Sequence, residues 1–300
     1  MRVCYSPGYV VELPAKHPFP MGKFAALQRI LLAEGLISAE QIYTPAPASW
    51  DDLRRVHAAD YLNKLRDDGL DRREERRMGL PWSQALLRRS RLAVQGTLKA
   101  ARMALEDGVA ANLAGGTHHA FPDHGEGFCV FNDMAVAIRV LMAEGCIARA
   151  LVIDLDVHQG NGTAAALAGE EAAYTFSMHG AKNYPFVKEH STRDVPLEDG
   201  VDDAEYMRIL SAHLPQVLDE ARADIVFYLA GVDVVQGDRY GRLSLTRAGL
   251  CQREYAVMEA VRSRGLPLVL LMSGGYAPTP EETADLHAEA HRVARRIFFA

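Results

Sequence analysis

The stretch Leu151-Val-Ile-Asp-Leu-Asp-Val-His-Gln-Gly-Asn-Gly-Thr163 constrains this chain more than any other, because an apolar run stops there at two carboxylates and a histidine. From Ala150 to Val157 the residues read as a strand buried on both faces, and the Gly-Asn-Gly that follows reads as a turn into a helix. A strand apolar on both faces belongs to a parallel sheet with helices above and below. Asp154, Asp156 and His158 are spaced by two, so extended backbone would point all three to one side. Carboxylate and imidazole are good ligands for a divalent ion such as zinc, and buried carboxylates are costly without a partner.

The same unit recurs along the chain. Val109 to Leu113 leads into Gly-Gly-Thr-His-His, Ala172 to Ser177 into Met-His-Gly, Ile225 to Leu229 into Ala-Gly-Val-Asp, and Leu268 to Met272 into Ser-Gly-Gly-Tyr. Amphipathic helices near Asn132–Glu144, Asp202–Arg222, Thr246–Arg264 and Glu281–Phe298 separate most of these runs. Upstream, the pattern predicts a short strand at Arg2–Tyr5, a helix over Gly22–Glu34 and a long helix from Pro81 to Asp107. This βα alternation predicts an α/β fold with helices on both faces of the sheet and the active site at the strands' C-terminal ends. No Pro-, Gly- or Ser-rich linker divides the sequence, so residues 1–300 are read as a single domain.

Composition excludes several function classes. A formal net charge of −6 does not provide the basic face that nucleic acid requires, and Arg72-Arg-Glu-Glu-Arg-Arg77 is mixed in sign. Cys4, Cys129, Cys146 and Cys251 are widely spaced, which argues against a disulfide scaffold or a cysteine zinc knuckle. The N-terminal residues lack an apolar leader segment and no apolar run reaches membrane-spanning length. A cytoplasmic location is expected, with neither nucleic acid nor membrane as a partner.

If the strand ends meet along one edge, His118, His119, Asp154, Asp156, His158, His179, Asp233 and Tyr276 converge. That set suits a metal-assisted hydrolase. Asp156, His158 and Asp233 would supply three ligands to one zinc ion and leave a position open. His118 and His119 suit hydrogen-bonding groups beside the attacking water, one of them a general base. Tyr276, after a Gly274-Gly275 turn that lets the backbone approach closely, offers a donor to an oxyanion.

At these residues the chain resembles the histone deacetylase superfamily, which includes acetylpolyamine amidohydrolases and shares the arginase–deacetylase fold. The matching segments are Gly115-Gly-Thr-His-His-Ala120, Gly127-Phe-Cys-Val-Phe-Asn-Asp133, Asp154-Leu-Asp-Val-His-Gln-Gly-Asn-Gly162, Ala230-Gly-Val-Asp233 and Ser273-Gly-Gly-Tyr276. His17-Pro18-Phe19, Gln159 and Gly237-Asp-Arg-Tyr-Gly-Arg-Leu-Ser-Leu-Thr246 are most similar to the class IV branch. The resemblance implies zinc ligation by Asp156, His158 and Asp233, an electrostatic role for His118 held by Asp154, a general base at His119, and carbonyl polarisation by Tyr276. The partner of His119 falls at Asn161, where class I members carry Asp, which puts its basicity in doubt. Phe128, beside Gly127, matches one wall of an acyl-lysine tunnel. Tyr184 or Phe186 must supply the other wall, and Tyr240 falls near the rim. Asp154 and Ser177 match side chains of a potassium site.

The implied activity is removal of an acyl group from lysine by metal-activated water. Class IV similarity adds the expectation that long fatty acyl chains are preferred to acetyl. An acylpolyamine or other small amide is the alternative substrate. A binuclear ureohydrolase and a non-catalytic acyl-binding module are the remaining readings. Cys129, His57 and His179 are expected to be structural, His124 to be solvated, and the His287/His291 spacing on the last helix to be an accidental surface pair.

Overall fold

In the computed structural model, which describes residues 1–299, the strands are β1 (Arg2–Cys4), β2 (Ile42–Tyr43), β3 (Val109–Asn112), β4 (Ala150–Asp154), β5 (Ala173–Gly180), β6 (Arg193–Leu197), β7 (Ile225–Leu229) and β8 (Leu268–Leu271). They form one sheet of order β2-β1-β3-β8-β7-β4-β5-β6 in which every pair is parallel. All strands therefore end on the same edge. At the centre, Ile153 pairs with Phe176 and Tyr228, and Asp154 with Ser177 and Leu229.

Period-2 alternation divides the apolar side chains of each strand between two helical layers. Leu151, Ile153, Val226 and Tyr228 pack with Leu27 of α1 (Lys23–Ala33), Leu210 of α8 (Asp203–Ala221), Val257 of α9 (Arg247–Arg262) and Val293 of α10 (Pro280–Phe299). Ala150, Val152, Ile225 and Phe227 pack with Leu98 of α5 (Gln84–Asp107) and Val136 of α6 (Asp133–Ala143) on the other face. Both faces are buried, which explains the near-continuous apolar runs. Among the described residues, no helix is long and apolar enough to cross a membrane.

Several boundaries differ from expectation for local reasons. The long helix begins at Gln84, not Pro81, because the Ser83 hydroxyl caps it by accepting from the Leu86 N–H at 3.1 Å. Strand β4 stops at Asp154 rather than Val157. The edge strands β2 and β6 were not predicted: β2 has two residues, and β6 carries Pro196, which a sheet edge tolerates. The Arg72–Arg77 segment lies in a short helix, α4 (Arg72–Met78), which follows α2 (Trp50–Arg54) and α3 (Ala59–Arg66) and precedes α5, while α7 (Asn161–Ala166) follows β4.

Candidate active site

Beyond β4 the backbone turns on its own carboxylates. The Asp156 N–H donates to Asp154 Oδ1 (3.1 Å) and the His158 N–H to Asp156 Oδ1 (2.9 Å). Asp156 and His158 therefore converge through Asx-type turns, and the strand alternation expected from the sequence does not extend to them. Asp233 follows β7, and its Oδ1 accepts from the Val157 N–H at 3.0 Å. Ligand atoms of Asp156, His158 and Asp233 all lie within 4.8 Å of one another, and all three residues are buried.

The charges of this group call for a cation. Asp233 Oδ2 is buried without a hydrogen-bond partner. Burial and the neighbouring Asp156 push the Asp233 carboxyl up to about 6. Burial alone would lower His158, but the hydrogen bond of its Nδ1 to Asp156 Oδ1 (3.0 Å) and the charge of Asp233 Oδ2, 3.3 Å away, raise it to about 10. Two carboxylates against one imidazole leave excess negative charge in a dry place, which a divalent ion neutralises. The N/O donor set fits zinc. Gly274 makes the close approach possible: a Cβ there would sit 2.0 Å from Asp233 Oδ2. Its N–H instead donates to Asp156 Oδ2 at 2.7 Å, alongside the Ser273 hydroxyl at 2.8 Å.

The tandem histidines have unlike surroundings. His118 Nδ1 lies 2.7 Å from Asp154 Oδ2; burial opposes its protonation, but Asp154 and Asp156 raise it to about 9. His119 is held well below its ordinary value by burial and by His118 and His158. Its Nδ1 lies 2.7 Å from Asn161 Oδ1, while the Asn161 amide donates to Glu126 Oε1 at 2.9 Å. Because Glu126 can only accept, Asn161 must present its oxygen to His119. The proton therefore resides on His119 Nδ1 and leaves Nε2 basic. Glu126 also accepts from the Tyr184 hydroxyl at 2.5 Å, and the Tyr184 ring meets His119 edge-on at 5.1 Å. Glu126 is the functional residue that sequence reasoning missed. Its only trace in the sequence was a carboxylate beside Gly127; the fold brings it to Asn161, 35 residues away.

A cavity of about 340 Å³ opens from this group to the surface between Phe128, Tyr184, Tyr240 and Tyr276. Phe128 adopts a positive φ of 67°, a strained backbone conformation of the kind found at functional sites. Gly127 precedes it because a Cβ there would lie 2.5 Å from His119 Cδ2. Phe19 packs on Phe128 at 5.4 Å, and His17 Nε2 lies 2.9 Å from the Gly79 carbonyl oxygen, so the His17-Pro18-Phe19 segment backs the tunnel wall. Tyr240 stands at the rim with its ring 4.9 Å from that of Tyr276. A second, inner cavity of about 40 Å³ lies behind the acidic group, lined by Phe19, Phe24, Arg89, Gly115 and Gly274 among others.

Other candidates lie elsewhere. Tyr184 forms the second wall; Phe186 is 86% exposed and lines neither cavity. A Cβ on Gly275 would meet Val232 and Thr283, so this glycine packs behind the turn instead of facing substrate. His179 bonds Ser177 at 2.9 Å, and His57 bridges the Phe121 carbonyl and the Asn132 N–H. His124 is not solvated as expected: it stacks on Phe121 and contacts Asp123 and Glu126. His287 and His291 are buried, not a surface pair. Cys129 is a buried thiol pushed up to about 12 by burial, hence inert.

Comparison with known proteins follows the same outline. Residues 17–291 match the family described as histone deacetylase domain. An uncharacterized protein of Picosynechococcus sp. is 43% identical over 99% of both chains. Histone deacetylase 2 of Arabidopsis thaliana is 32% identical over 92% of this chain and 74% of its own length. Among solved structures, the HDA15 HD domain superposes with a TM-score of 0.80 at 21% identity, covering all of this chain and 91% of that one. Acetylpolyamine aminohydrolase from Burkholderia pseudomallei gives 0.78 at 20% identity, covering 98% of both chains.

Proposed function

The chain belongs to the histone deacetylase family, and from that premise we propose that it is a zinc-dependent hydrolase of acyl-lysine amides. The observation that carries this reading is the buried Asp156–His158–Asp233 group beside two histidines of opposite character. Zinc held by those three residues supplies Lewis-acid polarisation of the amide carbonyl and a water that ionises near neutral pH. His119 Nε2 takes the proton from the attacking water, since Asn161 and Glu126 fix its tautomer. His118, oriented by the hydrogen bond from its Nδ1 to Asp154, is the electrostatic partner of the pair. The Tyr276 hydroxyl, raised well above its ordinary value by burial and by Asp233 and Asp156, stays protonated and donates to that oxygen. His119 then returns its proton to the leaving lysine amine. A potassium ion beside Asp154 and Ser177, which are cross-strand neighbours, belongs to the same reading. One ligand group of this kind occurs among the described residues, and His118 is engaged by Asp154, which favours a single metal over a binuclear ureohydrolase.

Acyl length is where the geometry weighs against the class IV expectation. The inner cavity of about 40 Å³, with Phe19 and Phe24 in its lining, is of a size that suits an acetyl group and leaves no room for a fatty chain without rearrangement. Each buried methylene contributes about 0.8 kcal/mol only where space exists, and forcing atoms into a packed region costs roughly 1–3 kcal/mol. Acetyl-lysine is therefore the expected substrate, with kcat/KM at least equal to that of octanoyl- and myristoyl-lysine in one peptide. Faster cleavage of the long chains would mean that the inner wall opens and that the fatty-acyl preference holds.

A further inference from the structure

The tunnel mouth carries charge that the hydrolytic reading does not use. Helix α4 is bolted to the tunnel loop: the Gly127 N–H donates to the Arg77 carbonyl oxygen (3.3 Å) and the Phe128 N–H to that of Met78 (2.8 Å). This fixes Arg76 and Arg77 at the mouth, where both line the 340 Å³ cavity and both are exposed. Arg239, also exposed, stands beside Tyr240 of the rim, its guanidinium 5.7 Å from that ring, and lines the adjoining groove. None of the three forms an ion pair among the described residues, whereas Arg66, Arg208 and Arg247 each pair with a neighbouring carboxylate and Arg72, Arg73 and Arg262 do not.

Three carboxylates near the mouth, Glu126, Asp238 and Glu74, are already engaged, whereas Glu12 shares a groove with Arg239. Glu126 accepts from Tyr184 and Asn161 and contacts His124. Asp238 accepts from the backbone N–H groups of Tyr240, Gly241 and Tyr276. Glu74 pairs with Lys64 and caps α4. A chain of net charge −6 thus presents unpaired positive charge around its one reactive opening. Charges at a rim act on substrate choice and encounter more than on the chemical step.

We infer that Arg76, Arg77 and Arg239 select acylated amines that carry a carboxylate close to the acyl-lysine side chain, and that they disfavour polycationic acylpolyamines. This rests on the amide-hydrolase reading above. The carboxylate has two sources: Asp or Glu residues flanking the lysine in a peptide, or the α-carboxylate of free Nε-acyl-lysine.

The test separates recognition from turnover. Peptides in which the acyl amide is replaced by an uncleavable ketone, flanked by two Asp, two Ala or two Lys, are bound to the zinc-loaded protein and followed by fluorescence anisotropy. Free acyl-lysine and its α-amide, as the same ketones, compete in a parallel arm. Affinity should fall from Asp- to Lys-flanked peptide by about tenfold at low salt, with the difference shrinking at high salt. R76E/R77E should invert the order. The ratio is internal to each variant, so a partial loss of fold or activity does not affect it, and R239E provides an independent reversal from the Tyr240 edge of the rim. Equal affinities for the three peptides, or an order unchanged in both variants, overturn the inference. Failure to hydrolyse any cleavable acyl-lysine peptide would count against the proposed function alone, because the binding order is read without turnover.

Discussion

Asp233→Ala is expected to yield a folded protein that no longer retains zinc and no longer cleaves acyl-lysine. The substitution relieves the repulsion between two buried carboxylates but leaves the Val157 N–H without its acceptor, at a cost of about 1–3 kcal/mol, so the metal-free protein is somewhat less stable yet folded. What disappears is the stabilisation that metal binding confers by mass action, about 2.7 kcal/mol at a hundredfold excess over Kd. In a chain of this size that corresponds to about 4 °C in Tm. Thermal melting with and without added zinc, together with elemental analysis, reads the effect. A zinc-dependent rise in Tm equal to that of the wild type would show that Asp233 is not a ligand.

His119→Ala is expected to reduce kcat by about 10² to 10⁴, the usual worth of a positioned general base. Zinc content should be unchanged, because His119 lies outside the ligand group. Glu126→Ala should follow the same axis with a smaller loss, on the order of tenfold, since Asn161 then loses the acceptor that orients it. His179→Ala should change kcat little, because its ring nitrogen is engaged with Ser177. Steady-state kinetics on one acetyl-lysine peptide rank the variants. A larger loss at His179 than at His119 would place the base elsewhere.

Much of the architecture was legible because a parallel sheet buried on both faces leaves a strong signature. Apolar runs of strand length, each ending in polar residues, can only alternate with helices, and the observed sheet has that form. Edge strands leave no such trace: β2 is too short and β6 carries a proline. Asp154, Asp156 and His158 were singled out by a period-2 argument that the backbone does not obey, since the chain turns after Asp154. Their chemistry was readable from residue type, but their geometry depends on side-chain-to-backbone hydrogen bonds that periodicity does not encode. Glu126 was missed for a related reason, because its meaning lies in two partners, Asn161 and Tyr184, that are distant in sequence. Phe186 and Tyr184 could not be separated from sequence. Only the contact of the Tyr184 ring with His119 identifies it as the wall.

The central claim is that this buried group holds one zinc ion through which an acyl-lysine amide is cleaved. The most direct measurement strips the purified protein with a chelator, titrates zinc back, and follows bound metal and hydrolysis of an acetyl-lysine peptide in the same samples. The account predicts that activity is lost on stripping and returns in proportion to zinc, saturating at one ion per chain. Undiminished hydrolysis by metal-free protein, or activity that requires two ions per chain, would contradict it.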